Sequence, residues 1–198
     1  MKGFTVWITG LPGSGKSELG QALAGRLVER GRSVEVIDSG ALRGTPLASS
    51  LGFSRAERVQ NNRRHAFAAK LLSRNGVVAI VTAVSPYRDT RDAIREELER
   101  FVEVYVSTPK AACIDRDDKG VWRKALAGEI RDFTGVDDPY EPPLEPEFRF
   151  DISSTDPAEG ASQLIRALVR LEHLTGTTSP GVAEDPLRDQ LEGVGFSE

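Results

Sequence analysis

Residues 4–17 read Phe4-Thr5-Val6-Trp7-Ile8-Thr9-Gly10-Leu11-Pro12-Gly13-Ser14-Gly15-Lys16-Ser17, a β-branched and aromatic run that leads directly into the spacing G-x-x-x-x-G-K-S. The run reads as a short buried strand. The glycines after it allow successive backbone N–H groups to turn inward around a phosphate chain. In that arrangement Gly10, Gly13, Ser14 and Gly15 form the cradle, Lys16 reaches the β- and γ-phosphates, and Ser17 offers its hydroxyl to a magnesium ion. A helix from Lys16 to about Arg30 would aim its positive N-terminus at the same anion. The plainer alternative is a glycine-rich strand-to-helix turn without a ligand. The strand before and the helix after favour the phosphate site, so the chain is expected to bind a nucleoside triphosphate.

Downstream, strand and helix patterns alternate. Ser33–Asp38 reads as a second strand and Ser39–Ser54 as a loop holding Arg43 and Phe53. A long helix is expected from about Ala56 to Arg74, with Val59, Phe67, Leu71 and Leu72 facing the core and Arg58, Asn61, Arg63 and Arg64 on its polar side. The apolar run Val77–Val84 reads as a strand buried on both faces of a parallel sheet, ended by Ser85-Pro86-Tyr87-Arg88. A helix from about Thr90 to Arg100, a strand over Phe101–Val106 and a fifth strand over Phe148–Ile152 follow. Between the last two, the charged stretch Pro109–Pro146 reads as a mobile lid with short helices at Pro109–Asp115 and Gly120–Asp132. The closing helix starts near Thr155-Asp156-Pro157 with Glu159 available for a capping box, and Ala161, Leu164, Ile165, Leu168 and Leu171 line one face. The expected organisation is one domain over residues 1–175, including a lid at about 109–146, and a disordered tail over 176–198. Alternation of this kind predicts an α/β domain with a mostly parallel five-stranded sheet covered by helices on both faces.

Composition narrows the classes. With Lys+Arg 26 against Asp+Glu 30, a net charge of −4 supplies no basic field for nucleic acid, so an anionic ligand must be held by local clusters. The single cysteine, Cys113, cannot form an internal disulfide and reads as a packing residue, which points to a reducing cytoplasm. The first strand begins too early for an export signal and no apolar run is long enough to span a bilayer, so no membrane partner is expected. His65 and His173 have no partner pattern and are given no metal or catalytic role.

Phosphate binding leaves the reaction open. A guanine-reading Asn-Lys-x-Asp motif is missing, and transfer to a small molecule has candidates for every part it needs. Asp38, at a strand end facing the crevice, can hold magnesium or accept the proton of an attacking hydroxyl, or can simply cap the strand. Arg43, Arg58 and Arg64 can contact an acceptor's anionic group, while Arg116, Lys119, Lys124 and Arg131 can neutralise the transferring phosphoryl. Phe53 and Phe133 can stack on a base or serve as core.

These stretches together, from the phosphate loop through Leu51-Gly52-Phe53-Ser54, Arg58 to Arg64, Ser85-Pro86-Tyr87-Arg88 with Arg91-Asp92, Arg116-Asp117 with Lys119-Gly120, and Gly128-Glu129-Ile130 to Glu141, resemble the adenylylsulfate kinase family in order over about Thr5 to Leu171. The resemblance implies a single-domain P-loop kinase fold that uses ATP and Mg2+ to phosphorylate the 3'-hydroxyl of adenosine 5'-phosphosulfate. It also implies a possible homodimer. Carried over by position, it implies Lys16, Asp38 and Lys119 as catalytic, Ser17 and Asp38 at the metal, and Arg116 with the phosphate loop at ATP. Arg43, Phe53, Arg58, Asn61, Ser85 and Phe133 would then bind the acceptor, with Phe53 and Phe133 sandwiching its adenine, and Ser85 matches a serine that some members carry phosphorylated.

Two departures stand out. Where the family usually reads Asp-Gly-Asp-Asn this chain reads Asp38-Ser39-Gly40-Ala41, and the usual hydroxyl after Ser17 is Glu18. The missing second carboxylate motivates two alternatives: a kinase for another nucleotide 3'-hydroxyl with a modified 5'-group, and a catalytically silent nucleotide-binding regulatory module.

Overall fold

The computed structural model of the protein describes residues 2–42, 45 and 51–174. In chain order these form β1 (Phe4–Gly10), α1 (Lys16–Val28), β2 (Val34–Asp38), α2 (Ser39–Leu42), α3 (Arg55–Arg74), β3 (Val78–Thr82), α4 (Arg88–Glu97), β4 (Phe101–Val106), α5 (Lys110–Asp115), α6 (Val121–Leu126), β5 (Phe148–Phe150) and α7 (Pro157–Arg170). The five strands make one parallel sheet in the order β2-β3-β1-β4-β5. Alternation along β1 divides the core. Val6 and Ile8 face Leu19, Leu23, Leu164 and Leu168 of α1 and α7, whereas Trp7 faces Ala66 and Ala69 of α3 and Ile94 of α4. The sheet is thus covered on both faces, as the alternating pattern predicts.

Chain β1 leaves through α1 on one face, and β3 leaves through α4 on the other. A crevice opens between the carboxyl ends of such strands, which is where open α/β sheets bind ligands. The register sets its floor, because Asp38 at the end of β2 lies opposite Thr82 of β3, which in turn lies opposite Ile8 of β1.

Several local expectations differ from the structure. Phe67 and Leu71 do not enter the core: they are 65% and 39% exposed. α3 instead faces the sheet with Ala66 and Ala69, small side chains that bring the helix close and turn Phe67 outward. For the same periodic reason Arg58 and Asn61, expected on the polar side, are buried. The helix expected over Gly120–Asp132 stops at Leu126, since Gly128 and Asp132 adopt left-handed φ values of 75° and 56°. Ser39–Leu42, expected as loop, forms one helical turn. Leu171 is past the end of α7 and exposed.

The capping box belongs to α3, where Ser54 and Glu57 satisfy each other. α7 is capped by Asp156, whose side chain accepts from the Ala158 amide at 2.9 Å. Cys113 is buried, as its packing role predicts. Residues 175–198, and with them the proposed tail, lie outside the described residues.

Candidate active site

The phosphate loop is a short bridge between a fully buried strand and the first turn of α1. Gly15, at the helix N-cap, has a φ of 95°, and a Cβ there would sit 2.4 Å from Ile152 Cδ1. Only glycine turns the chain there without displacing the core. Lys16 folds back over the loop, its Nζ donating to the Leu11 carbonyl at 2.7 Å and to Ser14 Oγ at 3.4 Å. Desolvation lowers its pKa to about 8, against the weaker opposing pull of Cys113, Asp38 and Glu18. Among the described residues no carboxylate lies within ion-pair distance of this ammonium, and a phosphate chain is the group that fits it.

Asp38 is held from several directions. Its Oδ2 accepts from Ser17 Oγ at 2.5 Å and from Thr82 Oγ1 at 2.9 Å, and its Oδ1 accepts from the Ala41 amide at 2.9 Å. Burial pushes the carboxyl up, but the bonds from Ser17, Ala41, Thr82 and Gly40 outweigh it and hold the pKa below the ordinary carboxylate value. The site therefore presents an ionised carboxylate beside two hydroxyls, a hard-oxygen set suited to magnesium. Asp38 is the only carboxylate among the described residues lining the cavity. Thr82 is a residue that sequence reasoning missed, and its one signal is a polar side chain inside an otherwise apolar strand.

The cavity encloses about 400 Å³ and runs from Pro12, Gly13, Lys16 and Ser17 past Asp38 to Phe53, Arg58, Asn61, Ser85, Lys119 and Phe133. Ser85 has a left-handed φ of 41°, and its hydroxyl is buried without a partner, as is the Asn61 side-chain oxygen. Two unpartnered polar atoms of residues that line a cavity are groups for a ligand to satisfy. Arg58 is committed differently from expectation: Nε donates to the Phe53 carbonyl at 2.7 Å and Nη2 to the Asp132 carbonyl at 2.5 Å, with Asp138 at 3.7 Å. Two of its donors brace the walls that carry Phe53 and Phe133.

The turn after β3 is fixed from behind by Arg91. This buried guanidinium donates to Glu103 at 2.7 Å, to the Ser85 carbonyl at 2.6 Å and to the Glu141 carbonyl at 2.6 Å. Tyr87 donates to Asp138 at 2.7 Å, and burial together with that bond raises its pKa to about 12. The segment around Asp138 and Glu141 is thereby tied to the turn that carries Ser85.

Other expected residues lie apart. Arg116 is outside the cavity lining and pairs with Glu18 at 2.8 Å, so the departure after Ser17 has a partner in the structure. Lys124 and Arg131 are exposed and outside the cavity, and Arg64, half-buried, is outside it as well. Arg43 lies outside the described residues. His65 is buried, and desolvation lowers its pKa to about 4, so it is neutral at physiological pH. Among the described residues, no helix is long and apolar enough to cross a membrane.

Comparison with known proteins agrees with this geometry. The adenylyl-sulfate kinase of Microcystis aeruginosa is 50% identical over 146 residues, covering 74% of this chain and 80% of that protein. The solved structure of the Mycobacterium tuberculosis APS kinase CysC in complex with AMPPNP and APS aligns with a TM-score of 0.80 and 40% identity, covering 84% of this chain and 98% of that one. The hexameric APS kinase from Thiobacillus denitrificans aligns with a TM-score of 0.67 and 35% identity over 87% of this chain and 30% of that one. The family model for adenylylsulphate kinase matches residues 2–151, and the chain belongs to that family.

Proposed function

We infer that the chain is an ATP-dependent kinase that phosphorylates the 3'-hydroxyl of adenosine 5'-phosphosulfate, giving 3'-phosphoadenosine 5'-phosphosulfate and ADP. The observation that carries this reading is the single cavity joining Lys16, Ser17 and Asp38 to Phe53, Asn61, Ser85 and Phe133. The M. tuberculosis relative was solved with both an ATP analogue and APS, which supports the same pair of substrates here.

In the proposed reaction, the acceptor's 3'-oxygen forms a bond to the γ-phosphorus as the bond from that phosphorus to the β–γ bridging oxygen breaks. Lys16 and the loop amides hold the phosphate chain and offset charge on the leaving ADP. Asp38 orients the acceptor hydroxyl and takes its proton; its low pKa suits a positioning role in a loose transfer, where little base strength is needed. Ser17 and Asp38 would hold magnesium, whose positive charge would help to offset that of the phosphates. Phe53 and Phe133 hold the adenine, Asn61 and Ser85 offer polar contacts to the acceptor, and Lys119 adds positive charge from the lid over 109–146. Arg116, once released from Glu18, would contact ATP, and Arg43 would contact the acceptor.

A panel of 3'-hydroxyl nucleotides tests the reading. The expected result is a kcat/KM for adenosine 5'-phosphosulfate about 10⁴-fold above that for AMP, in line with sites that hydrogen-bond a group the analogue lacks. Equal use of a 5'-phosphoramidate would favour the variant acceptor. We further propose a cytoplasmic homodimer, supported by the oligomeric T. denitrificans relative and by the free thiol of Cys113, and checked by light scattering and cell fractionation.

A further inference from the structure

Trp122 belongs to none of the nucleotide-binding motifs, yet it joins two of them. Its side chain in α6 is fully buried in a cluster with Cys113, Ala125 and Phe133, and Leu11 of the phosphate loop packs against that cluster. Nε1–H donates to the Pro12 carbonyl at 3.0 Å. The same ring meets Phe133 edge-on, with centroids 5.0 Å apart and planes at 73°. Little room is left for another rotamer: a Cβ on Gly135 would lie 2.8 Å from Trp122 Cη2, and Lys110 Nζ lies 5.8 Å over the ring. Lys110 in turn donates to the Gly135 carbonyl at 2.5 Å, which closes the pocket around the indole. Pro12 and Phe133 both line the active-site cavity.

We propose that Trp122 is a positioning residue that couples the donor and acceptor sites, one rigid indole making the placement of the Phe133 ring depend on the conformation of the phosphate loop. The inference rests on the kinase reading above for the identity of the acceptor. Its physical basis is that the indole is fixed at one end by a directional hydrogen bond and at the other by an edge-to-face contact. A shift of the Pro12 carbonyl when phosphate enters the loop is passed to Phe133 instead of being absorbed by side-chain rotation. Both ligands then bias the same element, which is the condition for a coupling free energy between two sites.

The chain has two tryptophans, so 15N-tryptophan labelling of the full chain gives two indole signals, assigned with Trp122→Phe. Saturating AMPPNP alone is expected to shift the Trp122 signal, as is adenosine 5'-phosphosulfate alone, while the signal of Trp7, buried in the core facing α3 and α4, moves less. In calorimetry, AMPPNP is expected to raise the affinity for adenosine 5'-phosphosulfate by about fivefold or more, a usual size for site coupling. Trp122→Phe, which keeps an aromatic ring but loses the donor, should bring that ratio to near one while each ligand still binds alone. A merely structural role would lower the melting temperature and weaken both ligands with the ratio intact, and that outcome overturns the proposal. Should the variant not fold, the wild-type spectrum decides, because an unmoved Trp122 signal under AMPPNP also overturns it. Failure of wild type to bind adenosine 5'-phosphosulfate would instead refute the kinase reading, and the response to AMPPNP would still test the link to Pro12.

Discussion

The donor and acceptor halves of the cavity are built in opposite ways. The donor half is one contiguous stretch, Gly10–Ser17, seated between a fully buried strand and the first turn of α1. The proposed acceptor half is assembled from β2's end, the start of α3, the turn after β3 and the segment from Lys119 to Phe133, and its walls meet through long-range contacts such as Arg58 to Asp132 and Tyr87 to Asp138. A contiguous site inherits its geometry from local backbone conformation. A dispersed one depends on every element that carries it, so it should be the half that substitutions retune and acid loosens first.

The largest effect belongs to the donor half. Lys16→Ala should reduce kcat/KM about 10³-fold, the size seen when one charge-stabilising group is lost, with the fold unchanged by circular dichroism. Near-normal turnover would break the assignment of the donor site.

Acid should act on the acceptor half through His65 of α3. The unfolded chain takes up a proton near the ordinary histidine pKa of about 6.5, whereas burial holds the native value at about 4. Between those values the unfolded state binds more protons, so stability is full above the window and falls as pH drops through it, by on the order of 3 kcal/mol. Denaturant titrations should show that slope in wild type and a shallower one in His65→Asn. A slope of the opposite sign would contradict the burial of a neutral imidazole.

Phe133→Ala should separate the halves. On the proposed reading, loss of that ring raises the acceptor KM about tenfold while leaving the affinity for ATP alone, without acceptor, within about twofold. Equal changes in both would mean that the two walls are not distinct.

The smallest effect concerns Glu18. Its pair with Arg116 is exposed on both sides, and such pairs contribute about 0–1 kcal/mol. Glu18→Thr should therefore lower the KM for ATP by about fivefold at most, with a weaker dependence on salt than in wild type.

The same contrast explains what was legible in the sequence. Gly10–Ser17 could be read directly because its chemistry is local, and the five-strand parallel sheet followed from periodicity. Phe67 was misplaced because an apolar residue on a helix does not declare which face the sheet will take, and here Ala66 and Ala69 take it. Thr82 escaped because its partner Asp38 is 44 residues away, joined only by the β2–β3 register. Arg58 could be recognised as important, but its hydrogen bonds to two backbone carbonyls leave no trace in spacing. Trp122 had no signal at all, since its meaning depends on where α6 packs against Pro12.

Asp38 is the only cavity-lining carboxylate among the described residues, and whether it suffices for transfer can be measured directly. Wild-type protein incubated with ATP, magnesium and adenosine 5'-phosphosulfate should release one ADP per acceptor consumed, and mass and phosphorus resonance should identify the product as 3'-phosphoadenosine 5'-phosphosulfate. ATP binding without any 3'-phosphorylated product would contradict a complete kinase site built around Asp38.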